Sequence, residues 1–98
     1  MRQELAEAVH GKRTVAAARE AMVAVEIAED LWNVYTTDEV YMVAVDLSAC
    51  TCPDAQYRAP DEGCKHVRRV EMRLGERDVP DVRLDPTLKF HTQQGGSA

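Results

Sequence analysis

Residues 49–66 read Ala-Cys50-Thr-Cys52-Pro-Asp-Ala-Gln-Tyr-Arg-Ala-Pro-Asp-Glu-Gly-Cys64-Lys-His66. This stretch holds all three cysteines of the chain and one of its three histidines, as two short pairs separated by eleven residues. On extended backbone, side chains two apart share a face, so Cys50 and Cys52 can both reach one ion. In a helix the same spacing points side chains apart. Cys64 and His66 must therefore straddle a helix start, with Cys64 at or before the N-cap, His66 in the first turn, and Gly63 allowing a sharp turn just before. The helix N-terminus favours the thiolate form of Cys64. Three thiolates and one imidazole close a tetrahedral zinc shell, with no position left for water or substrate. The expected cofactor is Zn2+ in a structural role. An iron–sulfur cluster with histidine ligation needs more separated ligands.

Upstream of the pairs, the hydrophobic period is two. The runs Met22 to Ala28, Leu31 to Thr36 and Val40 to Leu47 predict a three-stranded antiparallel meander. Glu29-Asp30 and Thr37-Asp38-Glu39 have the length of hairpin connections, although neither carries the glycine that tight turns favour. Val23, Val25 and Ile27 share one strand face, Trp32 and Val34 another, and Tyr41, Val43 and Val45 a third; all are expected in the core. Before the strands, Arg2 to Ala21 is rich in Ala, Glu and Arg at helical spacing. This predicts one or two short helices, broken near Gly11, with Thr14 a candidate N-cap for the second.

Downstream, a polar loop is expected from Pro53 to Gly63, followed by a helix from Lys65 to about Arg77. At about 100° per residue, Val67, Val70 and Leu74 fall on its core side, and Lys65, Arg68, Arg69 and Arg73 on the other, with Met72 in the same basic arc. Gly75 ends the helix, and Pro80 with Pro86 keeps the remainder out of one. The predicted organisation is a helical segment over 1–21, a zinc-binding domain over 22–77 and an extended or disordered tail over 78–98. The fold class is α+β, a small zinc-stabilised domain of N-terminal helix, three-stranded meander, zinc knuckle and C-terminal helix.

Composition narrows the function classes. The formal charge of −5 over 98 residues argues against a surface that clings everywhere to nucleic acid, so such contact would need a local patch. Residues 22–49 carry six acidic groups and no Lys or Arg, whereas 50–77 carry six basic and five acidic groups. An odd number of cysteines, two of them one residue apart, is a poor disulfide framework, and zinc thiolates suit a reducing cytosol. No run of the length that spans a bilayer and no signal-peptide pattern is present, so a soluble, cytoplasmic protein with no membrane partner is expected. With every thiol committed to metal and no phosphate-cradling glycine loop, neither catalysis nor a small-molecule substrate is expected.

The residues resemble the SWIM zinc finger, whose pattern is Cys-x-Cys, a variable spacer and Cys-x-His on a strand-strand-helix unit. The likeness covers about residues 40–74, and includes Val-Asp-Leu-Ser-Ala-Cys50-Thr-Cys52-Pro53-Asp54 before the spacer and Cys64-Lys65-His66-Val67 after it. The whole chain looks like the small stand-alone SWIM proteins of halophilic archaea. The resemblance implies zinc ligation by Cys50, Cys52, Cys64 and His66, and a role as a DNA-binding or protein-interaction module. Helicase, transposase or ligase domains that accompany the finger elsewhere are absent from these residues, so their functions do not carry over.

Two uses of the surface follow. Lys65, Arg68, Arg69 and Arg73 can follow a phosphate backbone from the outer face of the helix, making the protein a nucleic-acid-binding accessory or regulatory factor, DNA being the first partner to consider. Alternatively the module is a protein–protein interaction adaptor with purely structural zinc, and the same cations are simply solvated. Arg58 and Tyr57 in the spacer are expected to pack over the metal loop, with stacking on a base as the other option. His10 and His91 are expected at the surface.

Overall fold

A computed structural model of the chain describes residues 3–88. Two short helices, α1 (Gln3–His10) and α2 (Lys12–Arg19), precede strands β1 (Met22–Ala28), β2 (Leu31–Thr36) and β3 (Val40–Ala44). A 3-10 turn (Val45–Leu47), the two-residue strand β4 (Ala49–Cys50) and helices α3 (Pro53–Tyr57) and α4 (Lys65–Leu74) follow. The protein is α+β, built on a four-stranded antiparallel sheet in the order β1-β2-β3-β4. Three strands were expected. The third run gives way at Val45 to the 3-10 turn, which Ser48 ends in a left-handed conformation (φ 51°), and the chain doubles back to pair Cys50 with Val43. Gly11 (φ 88°) separates the first two helices as its sequence position predicts, and it, not Thr14, is the N-cap.

The hairpins dispense with glycine by two devices. Asp30 adopts φ 60° in the first connection, a region that Asp tolerates better than most side chains. In the second, Thr36 Oγ1 donates to the Glu39 carbonyl at 2.9 Å and accepts from the Asp38 and Glu39 N–H groups at 3.3 and 3.0 Å.

Helix α4 is the centre of the molecule. Its Val67 and Val70 pack with Met22, Trp32, Val34, Val43, Val45, Cys52 and Cys64 in one core against the sheet. On its other side Met72 joins Ala17, Ala18 and Leu88 in a second core. Helix α2 therefore covers the face of α4 that the helical period assigned to solvent, and Met72 is buried there. Leu74, expected inside, is 40% exposed because the chain turns away at Gly75 (φ 78°).

The expected core also needs correction in β1. The pairing of Val23 with Tyr35 and Val25 with Asn33 places the Val23-Val25-Ile27 row on the outer face, where all three are exposed. Met22 and Ala24 face the helix instead, opposite Thr36 and Val34. Met22 and Ala24 on this side of β1 are apolar too, although Glu26 shares it, so alternation alone did not choose the face; the smaller Ala24 fits beneath α4.

Beyond α4, residues 78–85 carry no helix or strand, yet they are not solvated as a tail would be. Val79, Val82 and Leu84 pack against the second core, Asp85 N–H donates to the Ala18 carbonyl at 2.8 Å, and Leu88 is buried. The expectation for 89–98, with His91, lies outside the described residues.

Candidate metal centre

The four sequence-predicted ligands come together. The Sγ atoms of Cys50, Cys52 and Cys64 and a ring nitrogen of His66 all lie within 4.8 Å of one another. Cys50 is half-buried and the other three are buried. Nδ1 of His66 stands 3.6 Å from Cys64 Sγ and 3.8 Å from Cys50 Sγ. Zinc bonds of about 2.3 Å to sulfur and 2.0–2.1 Å to nitrogen give a tetrahedron whose S···N edge is roughly 3.6 Å. The donor set fits a metal ion, with Nδ1 as the imidazole ligand and Nε2 left to carry the ring proton.

Local sequence explains how each ligand is placed. Cys50 ends β4, held by the pairing with Val43. Cys52 is extended (φ −72°, ψ 158°) and caps α3, its Sγ accepting the Ala55 N–H at 3.4 Å. Pro53 at the first position of α3 has the φ a helix start needs and lacks the N–H that would be orphaned there. The Cys-Pro-Asp order was thus a helix signal inside the stretch expected to be loop. Cys64 is the N-cap of α4 and His66 lies in its first turn, as the pair spacing predicts. Gly63 has φ 85°, and a Cβ there would sit 2.8 Å from Val67 Cγ1. Only glycine brings the chain into α4 at this angle.

The surroundings favour anionic sulfur on the α4 side. Cys64 is held well below the usual thiol range, first by the hydrogen bond from the Cys50 thiol, against the cost of burial, and further by His66 and the Val67 N–H. Cys50, as the partner that keeps the shared proton, is pushed up. Burial raises Cys52, partly offset by the Ala55 N–H. A metal ion ligated by all three sulfurs releases the remaining thiol protons to solvent, each cysteine binding as its thiolate. The imidazole of His66 is backed by Tyr41, ring centroids 4.6 Å apart and tilted 35°. A bidentate pair from Arg13 to Asp54, 2.8 Å at both contacts, ties α2 to α3 across the outside of the site. That hydrogen-bonded pairing lowers the Asp54 carboxyl and raises the Arg13 guanidinium.

The predicted contact face does not assemble. Arg68 and Arg69 are 9% and 3% exposed. Arg68 donates to the Gly63 carbonyl and to Thr14 Oγ1, each at 2.9 Å. Arg69 donates to the carbonyls of Ala17 and Glu20 at 3.0 Å and Met22 at 2.9 Å, to Thr87 Oγ1 at 2.8 Å, and pairs with Asp85. These two arginines hold α4 to α2, to the start of β1 and to the 85–87 segment. They face inward because α2 and its C-terminal carbonyls lie on that side of the helix. Lys65 pairs with Glu20, while Arg73 is exposed beside β1. Arg58 and Tyr57 are exposed and do not pack over the metal loop, although Arg58 borders a depression next to Cys52 and Cys64. His10 is only half-exposed.

Sequence reasoning missed the contacts of Arg13, Thr14 and Asp85, whose partners lie 41, 54 and 16 residues away. No local pattern marks such contacts. Among the described residues no helix is long and apolar enough to cross a membrane. Scanned against known protein families, curated proteins and solved structures, the chain finds no match in any of the three.

Proposed function

We infer that the protein is a small SWIM-like module in which a structural Zn2+ fastens a strand end to a helix start, and that it works as a protein-interaction adaptor. The observation that carries the metal reading is the convergence of three sulfurs and one imidazole nitrogen within 4.8 Å, from two pairs that the sequence keeps apart. Four ligands close the shell, so the ion holds the fold and supplies no open coordination position; the module is not an enzyme. The knuckle formed by β4, the cap of α3 and the start of α4 places all four donors, and a reducing cytoplasm suits its thiolates.

Nucleic-acid binding through α4 is the weaker reading. Arg68 and Arg69 are spent on internal carbonyls, leaving Lys65, Arg73 and Arg58 of the predicted face. Near the site, Arg13 and Lys65 are paired with Asp54 and Glu20, so of the four cations lining the depression Lys12 and Arg58 remain, against the roughly one negative charge that a three-thiolate zinc adds. Metal content by elemental analysis and the visible spectrum of the cobalt-substituted chain test the centre: one ion per chain with thiolate charge-transfer bands is expected. A duplex DNA titration at 50 and about 200 mM salt tests the surface. Little binding is expected at either salt. Tight binding that falls steeply with salt and is lost in Arg58→Ala/Lys65→Ala/Arg73→Ala would overturn the adaptor reading in favour of DNA.

A further inference from the structure

The outer face of the sheet is apolar and uncovered among the described residues. Val23, Val25 and Ile27 on β1, Tyr35 on β2, and Val40 and Met42 on β3 are 42–51% exposed. The register makes five of them one patch: Val23 lies beside Tyr35 and Tyr35 beside Val40, while Asn33 stands between Val25 and Met42; Ile27 follows Val25 in the bulge between Glu26 and Ala28. At these exposures the six side chains present on the order of 500 Å² of surface, at the upper end of what a monomer leaves in one apolar patch. Antiparallel sheets with one solvated face normally carry polar residues there. Here only Asn33 interrupts the row in its middle.

The charge at the two ends of the sheet is of one sign. Glu29 and Asp30 sit in the connection at one end of the sheet, Asp38 and Glu39 at the other, and residues 22–49 hold no Lys or Arg. Arg73 stands at the β1 edge, on the side where α4 and Leu88 flank Met22 to Ala24. We propose that this face docks a partner protein whose contact surface is an apolar stripe flanked by lysine and arginine. A second copy of the chain fits poorly: the patch falls short of the ~800 Å² per partner of a standard interface, and face-to-face docking opposes two acidic rims. A basic rim on the partner adds the missing contact area and complements the charge, giving a salt-sensitive, readily reversible complex. This inference rests on the adaptor reading and names its surface.

The test uses the full metal-loaded chain and two synthetic amphipathic helical peptides with the same leucine stripe, one flanked by Lys and Arg, the other by Glu. The basic peptide is expected to bind at least about tenfold more tightly, and to weaken as salt rises. Val25→Thr/Met42→Thr is expected to lose about tenfold of that affinity while keeping its metal content and thermal midpoint, since both positions are exposed strand sites. Equal binding of the two peptides, no binding of either, or binding unchanged in the double variant overturns the proposal. So does a concentration-dependent dimer that the double variant abolishes, which makes the occupant a second copy, or NMR contacts from Phe90 to Val25 and Met42 in the free chain, which make it residues 89–98. The DNA titration separates the failures: absent DNA binding with failed peptide binding removes this surface and leaves the adaptor reading standing.

Discussion

The ligands are not equivalent in what depends on them. Cys52 and Cys64 lie inside the main core with Trp32, whereas Cys50 is only partly buried against it and His66 stands outside that cluster. Losing a ligand removes the metal as well as a side chain, and structural zinc contributes on the order of 10–16 kcal/mol in finger peptides at neutral pH. Cys52→Ser and His66→Ala are therefore expected to unfold the sheet together with α4, with loss of helical circular dichroism and a red shift of the single tryptophan's emission. Chelator on the wild-type chain should reproduce both signals; a chelated chain that keeps its thermal midpoint would contradict a structural ion. Gly63 is a second site of single-residue control. Gly63→Ala combines a positive φ with a Cβ 2.8 Å from Val67 Cγ1, for an expected loss of roughly 2–4 kcal/mol, read by urea denaturation of the metal-loaded chain.

Among the elements, α4 carries the heaviest demand because it is buried on two sides. Its hydrophobic period was legible, and so were its cap at Cys64 and its stop at Gly75, although the helix ends at Leu74, short of the expected Arg77. Which side faces solvent was not legible, since that depends on where α2 lies. Arg69 shows the consequence. Its guanidinium satisfies three carbonyls and the Asp85 carboxylate, so Arg69→Ala leaves a buried carboxylate without its cation. The expected cost is about 3–5 kcal/mol, and Arg69→Lys does not restore it because an ammonium lacks the planar fork. Burial pushes the Asp85 carboxyl up, but hydrogen bonds from Thr87 and Arg69 outweigh it and the net shift is downward from 3.8. A carboxyl lowered on folding stabilises the protein above its unfolded value, and that stabilisation is lost as pH falls through the folded one. Stability should thus decline below about pH 4, and the decline from this group should disappear in Asp85→Asn, measured by thermal melts across pH 2–6.

For the whole molecule, the distribution of charge matters more than its sum. The net −5 conceals a sheet with acidic connections and a helical side whose cations are mostly internal or paired. Counting basic residues along α4 overstated the positive surface, as Arg68 and Arg69 are consumed by the fold. Local sequence alone marked the cluster of Cys50, Cys52, Cys64 and His66, the break at Gly11, the caps of α4 and the three long strands. Each of these is a local matter: a one-residue spacing, a residue's φ preference, a period of two. Only the tertiary structure decided that β4 forms, that Val23, Val25 and Ile27 face outward, and that α2 and residues 79–88 cover α4. Those outcomes depend on which apolar faces meet across the chain: in Met22 to Ala28 the wholly apolar row Val23-Val25-Ile27 turns outward, and the row that carries Glu26 is the one whose Met22 and Ala24 meet the helix.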